Sequence, residues 1–126
     1  MTILRGRVTS GIGDLTQWMI KYGDLYEQCT GVRLYPGSLN VALDEEYRLP
    51  AVPPLRLPPA ALGGRVGMNI VPCRFMGLPA FILRTDQNEA GTGNHDRKVV
   101  EIGAAVRLRD RFDLADGDVV TIQIDQ

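Results

Sequence analysis

The chain has 126 residues and a formal charge of −1, from 14 basic and 15 acidic side chains, with 44% hydrophobic and 23% charged residues. That is chain enough for one globular domain, residues 1–126, with no second core, and the balanced charge argues against a duplex nucleic-acid surface. A single histidine (His95), two cysteines (Cys29 and Cys73) and two lysines (Lys21 and Lys98), neither behind a glycine-rich stretch, exclude multi-histidine and four-cysteine metal sites, a disulfide framework and a lysine phosphate loop.

No run of roughly 18 apolar residues is present, so no membrane-spanning helix is expected. The first residues lack a charged segment followed by an apolar one, so no secretory signal is expected either. Two cysteines far apart in sequence read as free thiols in a cytoplasmic protein.

In chain order, residues 2–10 alternate and carry β-branched side chains, which predicts a strand. Gly11-Ile12-Gly13-Asp14 reads as a turn. Trp18, Tyr22, Leu25, Tyr26 and Cys29 then recur at helical spacing and predict one amphipathic helix, capped by Asp14 or Thr16 and stopped at Gly31. Pro36-Gly37 predicts a tight turn and Leu39–Leu43 a short strand. Five of the eight prolines fall between Pro50 and Pro59, where an extended surface segment is expected.

Arg65–Met76 reads as a strand that Pro72 brings to an edge or bulge. Ala80–Leu83 reads as its hairpin partner across Met76-Gly77-Leu78-Pro79. Residues 85–97 are polar and turn-rich, which predicts a long loop. Lys98–Ile102 predicts a strand, Arg107–Phe112 a short helix, and Val119–Ile124 a last strand. About six strands, one amphipathic helix and one short helix make a mainly β protein. A small closed barrel fits better than a doubly wound sheet.

Several segments carry chemistry. Gly11-Ile12-Gly13 between a strand and a helix is a place where backbone N–H groups attract phosphate. Thr16 stands where a dinucleotide fingerprint would need a third glycine, which removes that reading. Ser38 and Asn40 share one face at the start of a strand. Two neutral oxygens there suit a magnesium ion that keeps several waters, although spacing alone favours a Ser/Asn turn. Glu101 interrupts the apolar run Val99-Val100-Glu101-Ile102. It either faces water or accepts a proton from a substrate hydroxyl. Arg107 and Arg109 either reach phosphate or form a solvated charged helix with Asp110 and Arg111. Gly117 and Asp118 read as a structural tie between a short helix and a strand. His95 reads as a bystander, and Trp18, Tyr22 and Tyr26 as a packing stripe.

In order and spacing, Gly6 to Asp14, Tyr35 to Val41, Val100-Glu101-Ile102, Val106 to Arg109 and Leu114 to Val119 together resemble the archaeal CTP-dependent riboflavin kinases. The resemblance implies a six-stranded cradle-loop barrel of riboflavin-kinase type. It implies Mg²⁺-dependent transfer of the CTP γ-phosphate to the 5′-hydroxyl of riboflavin, giving FMN and CDP. Carried over residue by residue, it puts nucleotide at Gly11, Ile12, Gly13, Asp14, Leu15, Thr16 and Gln17, and at Val106, Arg107, Leu108 and Arg109. It puts magnesium on Ser38 and Asn40, with Asn40 and Glu101 catalytic and Glu101 beside the flavin. Thr92 or Asn94 stands in for a flavin-binding threonine. The family's loop reads Gly-x-Gly-Glu-Gly, and Leu15 takes the place of its third glycine.

The expected partners are therefore CTP or CDP and riboflavin or FMN, for a monomer or small homo-oligomer, with no nucleic acid and no membrane. The alternatives are a nucleotide- or flavin-binding module of the same fold without turnover, a kinase for another small substrate, or a DNA-binding dimer. The last is disfavoured by charge.

Overall fold

The computed structural model describes residues 1–11, 15–93 and 95–125. The predicted strands form where the alternation puts them: β1 (Thr2–Thr9), β2 (Leu39–Leu43), β6 (Val99–Gly103) and β7 (Val119–Ile124). β4 (Met68–Phe75) and β5 (Leu78–Thr85) make the expected hairpin. Its turn is Met76-Gly77, both residues at positive φ (49° and 86°), the conformation whose twist matches paired strands.

All pairings are antiparallel, in the order β4-β5-β6-β2-β1-β7, and β7 returns to β4 to close a six-stranded barrel. A seventh strand, β3 (Leu55–Leu57), extends the edge of β4. It lies within the 50–59 segment, which is extended as expected and gains one short edge pairing. Leu55-Arg56-Leu57 lies between proline pairs, and an edge strand tolerates such neighbours because only one of its sides needs N–H groups.

Two expectations are revised, for the amphipathic helix and for the 85–97 loop. The single amphipathic helix is two helices, α1 (Leu15–Lys21) and α2 (Gly23–Thr30), broken beside Gly23, the poorest helix former in the run. α2 ends on Gly31 at φ 78° as expected, and Thr16 lies inside α1 and is not its cap. Pro72 sits in the middle of β4, between the stretch paired with β3 and the stretch paired with β7. Among the described residues that side of β4 has no strand partner there, so the proline lies at a local edge, as expected. The 85–97 loop begins with a short helix, α3 (Asp86–Ala90), whose start is capped by the Thr85 hydroxyl accepting the Asn88 N–H at 3.1 Å. The short helix before β7 is α4 (Leu108–Arg111).

The segment after α4 behaves as a structural tie. Gly117 adopts φ 94°, a conformation that penalises any Cβ. Asp118 accepts the Ala115 N–H at 2.8 Å.

Alternation divides the apolar residues into two compartments. Val8, Val41, Phe75, Ile82, Ile102 and Ile122 fill the barrel interior. Leu15, Met19, Tyr26, Met68, Ile70 and Leu83 form a second cluster outside the barrel wall, under α1 and α2. On β6, Val100 and Ile102 point inward, so Glu101 points outward. On β2, Leu39 and Val41 point inward, so Asn40 points outward. Asn40 and Glu101 are paired in register across β2 and β6, and Glu101 is opposite Leu83 on β5. Both polar side chains therefore lie on the outer face, yet at 9% and 8% exposure they are buried. No helix among the described residues is long and apolar enough to cross a membrane.

Candidate functional site

Two adjoining depressions, each of about 250 Å³, open where β2, β6, α1 and α4 meet. The first is lined by Ser10, Gly11, Leu15, Thr16, Ser38, Asn40, Glu101 and Arg109. The second is lined by Thr16, the turn Tyr35 to Leu39, and Arg107, Leu108 and Arg109. Thr16, Ser38 and Arg109 border both.

At the floor, Ser38 donates its hydroxyl hydrogen to Glu101 Oε1 at 3.0 Å. Burial pushes the Glu101 carboxyl above its usual range, and the Ser38 hydrogen bond and the nearby His95 oppose that shift. Glu101 does not stand in open water, being 8% exposed at the bottom of the depression. Asn40 Oδ1 is buried without a hydrogen-bond partner among the described residues. Such an orphaned acceptor costs about 1–3 kcal/mol unless something else meets it. Gly11 shapes this spot, because a Cβ there would stand 2.1 Å from Asn40 Nδ2.

At the rim, Arg109 donates to Asp116 Oδ1 at 2.6 Å and to the Thr9 carbonyl at 3.4 Å, and Ser10 donates to Asp116 Oδ2 at 2.6 Å. The hydrogen bonds from Ser10 and Arg109 hold the Asp116 carboxyl below its usual range. Arg107 is exposed and paired with Asp110 at 2.6 Å. Leu108 is buried in the barrel interior and anchors α4.

The structure thus brings together Gly11, Leu15, Thr16, Ser38, Asn40, Glu101, Arg107, Leu108 and Arg109. Gln17 and Val106 are exposed beside the depressions and do not line them. Thr92 is exposed, and its hydroxyl donates to the Gln87 carbonyl at 3.3 Å. Ile12, Gly13, Asp14 and Asn94 lie outside the described residues. Ser10, whose hydroxyl ties the rim, and Tyr35, Pro36 and Gly37, which wall the second depression, lie in segments that carry the family resemblance but were given no site role in the sequence.

The oxygens of Ser38 and Asn40 fit a hard divalent cation: they are neutral, close in sequence on one face, and one of them lacks a partner. Among the described residues, no group of three or more His, Cys, Asp or Glu could hold a metal. A cation here would rely on ligand oxygens and water for its remaining contacts.

A closed barrel whose outer wall carries a polar cleft, with arginines at the rim and a carboxylate on the floor, is a ligand-binding barrel. Residues 8–124 match the model of the CTP-dep_RFKase family, described as a domain of unknown function, DUF120. A protein named riboflavin kinase from Pyrobaculum aerophilum is 30% identical over 130 residues, covering 96% of this chain and 60% of that protein. One from Methanosarcina mazei is 32% identical over 131 residues, covering 96% and 56%. One from Staphylothermus marinus is 26% identical over 126 residues, covering 96% and 90%. The chain belongs to the CTP-dependent riboflavin kinase family. It spans about 60% of the length of the first two curated relatives it matches and 57% of a third.

Proposed function

We propose that this chain transfers the γ-phosphate of CTP to the 5′-hydroxyl of riboflavin, giving FMN and CDP, with Mg²⁺. The observation that carries the reading is the floor of the cleft, where a buried carboxylate, a hydroxyl and an orphaned amide oxygen converge. Phosphoryl transfer asks a protein for positioning and charge neutralisation more than for covalent chemistry.

Glu101 accepts the proton of the riboflavin hydroxyl. Its burial, which raises its proton affinity, suits it to that work. Asn40 Oδ1 and Ser38 Oγ hold Mg²⁺, which when bound supplies positive charge against the phosphate oxygens. Gly11, Leu15, Thr16 and Arg107–Arg109, which line the depressions, hold the nucleotide, with Arg109 near its phosphates. A cytoplasmic setting agrees with the free thiols of Cys29 and Cys73.

Purified protein given CTP, riboflavin and Mg²⁺ should yield FMN, read by separation of the flavins. Asn40→Ala should lose the activity on the order of 10²-fold or more, because the cation loses its buried oxygen. Folded wild-type protein that yields no FMN would overturn the kinase. A second reading, a binding module without turnover, is favoured by Leu15 where the family's loop has a glycine. It predicts that CDP and FMN titrate onto the protein while the assay stays silent.

A further inference from the structure

The rim of the cleft carries a carboxylate whose side-chain partners both line the cleft. Asp116 lies in the turn between α4 and β7, with its side chain half exposed. Its Oδ1 accepts from Arg109 Nη2 and its Oδ2 from the Ser10 hydroxyl, both at 2.6 Å. Ser10 and Arg109 each line the depression that holds Asn40 and Glu101. One side chain therefore bridges the end of β1, just before Gly11, to helix α4.

The turn itself does not need that carboxylate. The Gly117 N–H donates to the Val8 carbonyl at 2.8 Å, and the Val8 N–H to the Asp118 carbonyl at 2.9 Å. The Asp118 side chain accepts the Ala115 N–H at 2.8 Å. An exposed ion pair adds little to stability in any case.

What Asp116 adds is position. A guanidinium holds its N–H groups in one rigid plane. Arg109 commits Nη2 to Asp116 and, at 3.4 Å, to the Thr9 carbonyl, which leaves Nη1 and Nε for a ligand. Arg109 borders both depressions. A long arginine stem loses conformational freedom when it grips a ligand, and a tether that fixes it beforehand lowers that cost.

We propose that Asp116 is a positioning residue for the nucleotide, clamping Arg109 and the Ser10-Gly11 stretch in the arrangement that receives the phosphates. It works through two oxygens, one for each side of the cleft, and touches no ligand itself. This rests on the kinase reading above and adds to it a residue outside the cleft lining.

The test is the series Asp116→Glu, Asp116→Asn and Asp116→Ala, with Ser10→Ala alone and combined with Asp116→Ala. CDP with Mg²⁺ is titrated by calorimetry and riboflavin by flavin fluorescence. Asp116→Ala should weaken CDP about tenfold, the scale of one charge-assisted hydrogen bond, while riboflavin affinity and the melting temperature stay at wild type. In turnover, the KM for CTP should rise and that for riboflavin should not. Asp116→Glu keeps two acceptor oxygens and should recover most of the CDP affinity. Asp116→Asn has the native shape with a single acceptor oxygen, so it should fall between wild type and Asp116→Ala. Ser10→Ala should weaken CDP by less, and should add nothing to Asp116→Ala, because both act through one tie. Should Asp116→Ala not fold, Asp116→Asn against Asp116→Glu decides. Unchanged CDP affinity across the series, Asp116→Asn equal to wild type, or additive losses from Ser10 and Asp116 overturns the proposal and leaves the kinase standing. Wild-type protein that binds no CDP overturns the nucleotide reading itself.

Discussion

Asn40 is held in place by an absence. Its amide occupies the space that a side chain at residue 11 would take, so Gly11 and Asn40 act as a pair across the mouth of the cleft. Gly11→Ala would push the amide aside while leaving the barrel interior untouched. FMN formation should fall on the order of 10²-fold, the usual cost of misplacing a positioning group by an ångström. The melting temperature should stay close to wild type. A normal rate with an unchanged melt would show that Asn40 tolerates displacement. The glycine was legible in the sequence as a turn before a helix. Its service to Asn40 was not, because the two residues meet only once β1 and β2 pair.

Among the elements, β5 contributes more than a wall strand. Its Arg84 is 2% exposed, and its guanidinium donates to the carbonyls of Tyr47, Arg97 (3.1 Å) and Val99 (3.4 Å) and to Glu89 Oε1 (2.9 Å). One side chain thus ties the segment after β2, helix α3 and the start of β6. Arg84→Met should cost about 3–5 kcal/mol in urea denaturation, since it strands a carboxylate and several carbonyls.

At the edge of the sheet, Arg56 of β3 holds Asp86 of α3 at 2.7 Å and 2.9 Å. The Arg56 hydrogen bonds set the Asp86 carboxyl at about 2, below its ordinary 3.8. A depressed carboxyl contributes stability that is present above about pH 4 and lost as pH falls toward 2. The melting temperature of Asp86→Asn should therefore lie below wild type at pH 7, with the gap closing between pH 4 and 2. A gap independent of pH would exclude the ion pair as its source.

Alternation made β1, β2, β6 and β7 readable, because each has one apolar face and short polar ends. α3 escaped notice because TDQNEA is wholly polar until Ala90 and carries no apolar stripe, although Thr85 is a sound cap. The break at Gly23 escaped because the apolar spacing runs through it unbroken.

At the scale of the whole molecule, closure rests on a narrow seam. β4 and β7 meet over the register pairs Arg74–Gln123 and Phe75–Ile122. Phe75 is fully buried and packs edge-on against Phe112, with centroids 5.7 Å apart, which fastens the turn after α4 to the seam. Phe75→Ala should destabilise the fold by about 3–5 kcal/mol and speed hydrogen exchange on β7 ahead of β2 and β6. Uniform exchange across the strands would show that the seam is no weaker than the rest. The closed barrel was legible from strand count and spacing. The division of the apolar residues into two compartments was not, because Tyr26 and Met68 look the same in sequence whichever side of a wall they face.

That division has a consequence for how such a protein can change. Glu101 and Asn40 are rooted in strands whose opposite faces build the interior, whereas Tyr26 belongs to a cover carried wholly on the connection between β1 and β2. Drift in the cover would be felt by Met68, Ile70 and Leu83 on the outer face of β4 and β5, and would leave the packing of the barrel interior as it is. The wall therefore insulates one compartment from changes in the other.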